Sequence, residues 1–377
     1  METGKTASGS PEVKRDTVRS PGAALRETGE FSCSNHLLNI LAERMAREQK
    51  ALFSGPTPPD GETLLLLSGA ASFTLDLREF LLEKLEESSL FGSYAGIVVL
   101  DLLYRKYGES ETVRSFLPAA AARLDDAGPK ISDRFAEDPA PEKLVGAAMS
   151  AGMDLLCGSL AHSLGEERIA NERNALYFRK KKAFLREFYT TDGRFAEASQ
   201  TAAVLALRFG LTPDDRDLWA LVGESLLKDI EKKRNMHFST GLLGTAYLLP
   251  VLTGAEALDT AWQLLLQSSR PSWLYPVIRR REFPCVSWCA ASQWLFETVC
   301  GIRPDFGARR FGISPRFGRF LRYARARYDS AFGPVTSEWH REDEDFVLEF
   351  TVPEGTEARV RGKLYGPGRF TLKIRHY

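Results

Sequence analysis

Apolar residues recur three and four positions apart over most of the chain from Phe31 to Gly301, which is the spacing of amphipathic helices. Ser34-Asn35-His36-Leu37-Leu38-Asn39-Ile40-Leu41 opens the first stretch, with capping residues ahead of the periodic ones. Leu75–Leu85, Ala95–Tyr107, Val145–Leu164, Arg168–Phe188, Thr201–Phe209, Leu218–Ile230, Leu242–Leu252, Ala257–Gln267 and Trp288–Val299 repeat the pattern. Breaks rich in Gly, Pro and Asp, such as Gly55–Gly61 and Asp125–Lys130, separate them. Many consecutive helices with short connections predict helical hairpins packed in a ring or a bundle, two arrangements that periodicity does not distinguish.

After Gly301 the period shortens to two. Ser337–Arg341, Phe346–Val352, Ala358–Leu364 and Phe370–Tyr377 alternate and favour strand formers, with turn signals at Pro353-Glu354-Gly355 and Gly366-Pro367-Gly368. The pattern predicts a helical domain over 31–304 and a small antiparallel β domain over 305–377. Residues 1–30 read as a disordered leader, since Met1–Arg26 is polar and rich in Ser, Gly and Pro. It holds no apolar core of signal-peptide length, so a cytoplasmic location is expected. The longest aliphatic run, Leu64–Leu67, is too short to cross a bilayer, and no membrane partner is expected.

Composition adds exclusions. Hydrophobic residues are 44% and charged residues 27% of 377, an ordinary globular balance. Lys plus Arg and Asp plus Glu are both 50, so nothing electrostatic calls for nucleic acid or an anionic surface. Short basic clusters, Arg179–Lys182 and Arg279–Arg281, read as solvated faces. The five cysteines, Cys33, Cys157, Cys285, Cys289 and Cys300, are odd in number and scattered, which suits a reducing compartment better than a disulfide framework. Cys285 and Cys289 are four apart without a histidine beside them, so they read as a packed apolar pair; no metal or cofactor is expected.

Four motifs follow one another in the second half: Thr191-Asp192-Gly193-Arg194-Phe195, Ser199-Gln200-Thr201-Ala202, Thr240-Gly241-Leu242-Leu243-Gly244-Thr245 and Pro271-Ser272-Trp273-Leu274-Tyr275. In this order and spacing they resemble the back half of the α-L-rhamnosidases of glycoside hydrolase family 78. Phe31-Ser32-Cys33-Ser34-Asn35 with Leu38-Asn39 is similar to the family's entry into its first barrel helix. Tyr328-Asp329-Ser330-Ala331-Phe332-Gly333, followed by Trp339, resembles the start of its C-terminal sandwich. The resemblance implies an (α/α)6 six-hairpin barrel over 31–304 followed by a small antiparallel β-sandwich.

It also implies a chemistry, from which this chain departs. Glycosidases need one carboxyl group to protonate the leaving oxygen and another to activate water or attack. The family carries acids in a loop of the form Pro-Thr-Asp-Cys-Pro-x-Arg-(Asp/Glu)-x-x-Gly-(Trp/Tyr)-x-Gly-Asp. Laid without gaps on Pro56 to Ala70, it puts Pro58, Thr63 and Ala70 in the acid places, Thr63 at the general acid. After Tyr275-Pro276-Val277 the family continues to an opposing carboxylate, whereas this chain runs from Ile278 through Arg279-Arg280-Arg281-Glu282-Phe283-Pro284 to Cys285.

The candidates that remain for proton transfer are Asp60 and Glu62 in the shifted loop, Glu282 where the deletion rejoins, and His237, whose residue type commonly serves as a proton carrier. Trp273 and Tyr275, from the family's aromatic motif, are expected to line the pocket with Trp288, Gln200 and Tyr94. Leu64–Leu67 dries that pocket if its loop still faces the barrel mouth; otherwise it starts a helix and packs in the core. The first expectation is therefore an enzyme repurposed for a non-hydrolytic step, a cyclisation, isomerisation or elimination on a small, partly apolar molecule. A glycoside hydrolase using shifted acids and a non-catalytic sugar-binding protein are the alternatives.

Overall fold

The computed structural model describes residues 25–57, 59–86, 90, 94–124 and 133–375. Pro58, the Asp125–Lys130 break and residues 1–24 of the expected leader lie outside the described residues.

Asn35 caps α1 (His36–Ser54), its side chain accepting from the Leu37 and Leu38 amides. Asp60 caps α2 (Gly61–Thr74). There follow α3 (Arg78–Leu85), α4 (Tyr94–Tyr107), α5 (Ser110–Arg123), α6 (Glu142–Ser163), α7 (Glu167–Phe188), α8 (Gln200–Arg208), α9 (Arg216–Lys228), α10 (Leu242–Gly254), α11 (Leu258–Leu266) and the short α12 (Leu274–Ile278). The last barrel helix is composite: a 3-10 turn (Val286–Ala290), α13 (Ala291–Trp294) and a π turn (Leu295–Val299).

These helices close a ring. α2 packs on α4, α4 on α6, α6 on α8, α8 on α10, α10 on the composite helix, and that helix back on α2. α5, α7, α9 and α11 back onto them from outside, which is the six-hairpin barrel. The inner helices α2, α6 and α10 are apolar nearly all round, as helices buried on every side must be. α6 has the length and composition of a membrane span, although 67% of its apolar window is buried in the protein.

Two helices differ from the sequence pattern. α5 carries Pro118 and few large apolar residues, so its periodicity is weak. α2 begins at Gly61 and buries Leu64–Leu67, the second of the two outcomes expected for the leucine run; its uninterrupted leucines suit a helix enclosed by neighbours but show no amphipathic period.

The α6–α7 hairpin encloses an ion cluster. Asp154 is wholly buried and pairs with Arg173 at 3.1 Å, itself 3% exposed, and with Lys180 at 2.6 Å. Asp154→Ala removes the carboxylate that Arg173 and Lys180 share and is expected to lower stability by about 3–5 kcal/mol. A chemical-denaturation midpoint unmoved by the substitution would contradict this.

The strands form two sheets. β1 (Gly29–Cys33), β4 (Tyr323–Ser330), β5 (Gly333–Glu342), β6 (Asp345–Val352) and β9 (Gly368–Ile374) make one, in that spatial order; β2 (Ile302–Asp305), β3 (Arg310–Ile313), β7 (Glu357–Val360) and β8 (Lys363–Tyr365) make the other. The leader expected over residues 1–30 thus ends in structure. Leu25 and Thr28 are buried, and Gly29–Cys33 pairs with β4 across the expected barrel boundary at 31. Only glycine fits at 29, where a Cβ would meet the Phe73 carbonyl oxygen. All pairs are antiparallel except β3 with β7. The single strand expected over Ala358–Leu364 is split by Arg361-Gly362, both at positive φ (48° and 80°), the requirement of a two-residue hairpin turn. The sandwich is fastened to the barrel through Trp339 Nε1, which donates to the Val299 carbonyl at 2.8 Å, and Ser337 Oγ, which donates to the Cys300 carbonyl at 2.6 Å.

Candidate functional site

The four motifs hold the N-terminal ends of the inner helices together. Ser199 caps α8, accepting from the Ala202 amide at 3.2 Å. Gln200 Nε2 donates to Asp229 Oδ2 at 2.8 Å, and Gln200 Oε1 accepts from the Ser239 amide at 2.8 Å. Gly241 and Gly244 permit close approach: a Cβ on Gly241 would lie 2.4 Å from Asp133 Oδ1, and one on Gly244 2.4 Å from Thr201 Oγ1. The Leu242 amide donates to the Arg134 carbonyl at 2.8 Å. In the turn Thr191–Phe195, Gly193 adopts φ 79°, and Ser272 Oγ accepts from the Tyr275 amide at 3.1 Å at the start of α12.

A cavity of about 400 Å³ opens at this end, walled by Phe135, Glu137, Phe238, Ser239, Thr240, Arg270, Tyr275, Arg281, Glu282, Cys285 and Trp288. Behind the wall, Phe238 packs on Trp273 and Trp288 with ring centroids 4.6 and 5.3 Å away. The rejoined segment after the deletion is anchored by Arg44 of α1, which donates to the Pro276 carbonyl at 3.1 Å and lies over the Phe283 ring.

Of the expected residues, Tyr275, Trp288 and Glu282 stand on the wall. The others do not. Trp273 is wholly buried, its Nε1 donating to the Trp288 carbonyl at 3.1 Å, so it is a core residue that backs Trp288. Gln200 is 1% exposed and spends both ends of its amide on the backbone and Asp229. Tyr94 is buried at the start of α4 and does not line this cavity. His237 is a latch: Nδ1 faces the Arg234 and Asn235 carbonyls and Nε2 faces Ser269 Oγ, each at 2.9 Å. The two carbonyls assign the proton to Nδ1. Asp60 is occupied as the α2 cap, accepting from the Thr63 amide at 2.8 Å. Glu62 lies in the first turn of α2 and pairs with Arg134, next to the wall residue Phe135.

The Pro56–Ala70 comparison also changes. Ala70 is buried nine residues into α2, about 14 Å along the helix at ~1.5 Å per residue, so that place does not reach the mouth. Leu64–Leu67 are buried in α2, and Leu65 and Leu66 border a different cavity at the C-terminal ends of the inner helices. The wall at the mouth is consequently wetter than the leucine run suggested.

Two carboxylates stand on the wall, Glu137 and Glu282, and Glu62 lies off it, paired with Arg134. Glu137 is paired with Arg234 at 3.1 Å. Glu282 is exposed and makes no hydrogen bond or ion pair among the described residues. Glu62 is half-buried; burial raises its pKa above the usual carboxylate value, and Arg134 offsets the rise in part. Burial also raises the Cys285 thiol on the wall, opposed by Ser287, which keeps it protonated rather than nucleophilic. Among the described residues no three His, Cys, Asp or Glu gather as a metal site. Phe135, Glu137 and Arg270 escaped sequence reasoning because they lie in connecting loops outside the recognised motifs.

The sequence model of the bacterial α-L-rhamnosidase six-hairpin glycosidase domain matches residues 93–280, and that of the bacterial α-L-rhamnosidase C-terminal domain matches residues 301–362. An α-L-rhamnosidase of Streptomyces avermitilis is 31% identical over 300 residues, covering 71% of this chain and 29% of that protein. One from Formosa agariphila is 28% identical, covering 58% of this chain and 26% of its own length. The crystal structure of the Streptomyces avermitilis α-L-rhamnosidase complexed with L-rhamnose superposes with a TM-score of 0.81 at 26% identity, covering 93% of this chain and 42% of that one. The Aspergillus terreus enzyme shares the fold, with a TM-score of 0.84 at 21% identity over 93% of this chain and 50% of its own. The chain thus spans half or less of the length of these relatives, and within that span it belongs to the α-L-rhamnosidase six-hairpin glycosidase family.

Proposed function

We propose that the chain is a slow glycoside hydrolase of the α-L-rhamnosidase type, taking a terminal deoxyhexose in the mouth pocket. Glu62 is the proton donor to the glycosidic oxygen, and Glu282 takes a proton from the attacking water. The observation that carries the reading is the composition of the wall. Trp288 and Tyr275 offer aromatic faces, Ser239, Thr240 and Arg270 offer polar groups, and Glu282 is an exposed carboxylate, a combination suited to a sugar ring. Burial raises the pKa of Glu62, the direction that suits a general acid. Family membership supports the substrate class.

The rival reading, non-hydrolytic conversion of a small apolar molecule, draws on Thr63 standing where the resemblance places the proton donor. The charged groups on the wall weigh against it.

Isothermal titration with L-rhamnose tests the pocket. Saturable binding is expected, weakened at least tenfold by Tyr275→Ala, since losing one good contact of ~1.4 kcal/mol has that effect. Absence of saturable binding, or equal binding by the folded variant, would remove the sugar reading.

A further inference from the structure

The leucines of α2 dry a cavity after all, though not the one at the mouth. At the C-terminal ends of the inner helices lies a space of about 420 Å³ bordered by Leu65, Leu66, Leu102, Met153, Leu155 and Leu156. Its size is that of a small-molecule site, and its wall sets these apolar side chains beside Asp101, Arg105, Lys106, Gln293 and Glu297. Arg208, the last residue of α8, stands on the same wall, exposed, its guanidinium over the Tyr247 ring at 5.4 Å.

Most of the other charges on this wall have partners, although the buried Lys106 Nζ makes no hydrogen bond among the described residues. Asp101 accepts from Arg105 Nε at 2.7 Å. Glu297 accepts from Gln293 Nε2 at 2.8 Å and faces the charge of the buried Lys106, whose ammonium rests on the Phe73 ring. Asp305 and Arg303 act from outside: Asp305 lies 3.9 Å from Arg105, and Arg303 donates to the Glu297 carbonyl at 3.4 Å. Arg208 senses both Asp101 and Glu297. Yet it makes no hydrogen bond or ion pair among the described residues and presents its N–H fork at the rim of an apolar space.

We propose that this far-end cavity binds a small amphipathic monoanion, an aryl- or alkyl-carboxylate. Its apolar body fills the leucine-lined space, and its carboxylate meets Arg208. A planar guanidinium matches a carboxylate in two parallel hydrogen bonds, and its stacking on Tyr247 holds it in place for that contact. The proposal does not depend on hydrolysis at the mouth.

The test is calorimetric titration with 3-phenylpropanoate and with the uncharged 3-phenylpropan-1-ol. The wild-type chain is expected to bind the acid saturably and at least tenfold more tightly than the alcohol, as a charge-assisted hydrogen bond contributes about that factor. Arg208→Gln, a surface change, should erase the preference while leaving alcohol binding unchanged. Ser159→Trp, at the exposed rim on α6, should block both probes. Tyr275→Ala at the mouth should affect neither. Equal affinity for acid and alcohol, an unaltered preference in Arg208→Gln, or loss of acid binding in Tyr275→Ala would overturn the proposal. So would a lack of saturable binding at millimolar probe.

Discussion

Trp273→Ala is expected to destabilise the chain by about 3–5 kcal/mol, the usual loss for a buried tryptophan reduced to alanine. The ring is wholly enclosed, packs 4.6 Å from Phe238 and 6.0 Å from Trp288, and donates to the Trp288 carbonyl. Truncation removes apolar contact, opens a cavity and takes one donor from the Trp288 carbonyl, which keeps only the Ala291 amide, and each loss adds to the others. Sugar binding by the molecules that remain folded should fall only modestly, because Trp273 does not touch the pocket. Urea denaturation followed by titration of the folded fraction separates the two effects. A variant of normal stability that has lost binding would return Trp273 to the pocket wall.

Glu62→Gln is expected to lower kcat for an aryl α-L-rhamnoside by ~10²–10⁴-fold, the range for loss of a general acid. The sign of the pH dependence follows from burial. Glu62 titrates above the usual carboxylate value, and its active form is the protonated one. Wild-type activity should therefore fall as pH rises through that raised pKa. Glutamine does not titrate, so the falling limb should vanish in the variant. A limb that persists in Glu62→Gln would assign it to another group.

The barrel was legible in the sequence because most inner and outer helices carry their own period, and the order of the four motifs selected a ring over a bundle. α2 was legible only as one of two outcomes for Leu64–Leu67, since a helix enclosed on every side shows no period. β1 was not legible either, because Gly29–Cys33 becomes a strand only by pairing with β4, some 295 positions later. At the site, Trp288, Tyr275 and Glu282 were recognisable as an aromatic motif and a charged break. Trp273 and Gln200 belong to the same motifs but support the fold, and residue type alone does not tell a ring on the wall from the ring behind it. His237 was chosen for its residue type, but its ring nitrogens are engaged by two carbonyls and Ser269.

Glu282→Gln is the most direct test of the mouth as a working glycosidase site, because this carboxylate stands on the wall, exposed and without a partner among the described residues. The measurement is steady-state release of 4-nitrophenol from 4-nitrophenyl α-L-rhamnopyranoside. The wild-type chain should turn over saturably but below the ordinary ~1–10³ s⁻¹. Glu282→Gln should cut kcat at least ~10²-fold with KM little changed, as expected when an interaction made only in the transition state is lost. Wild-type turnover that Glu282→Gln leaves intact, or saturable binding with no turnover at all, would contradict the account.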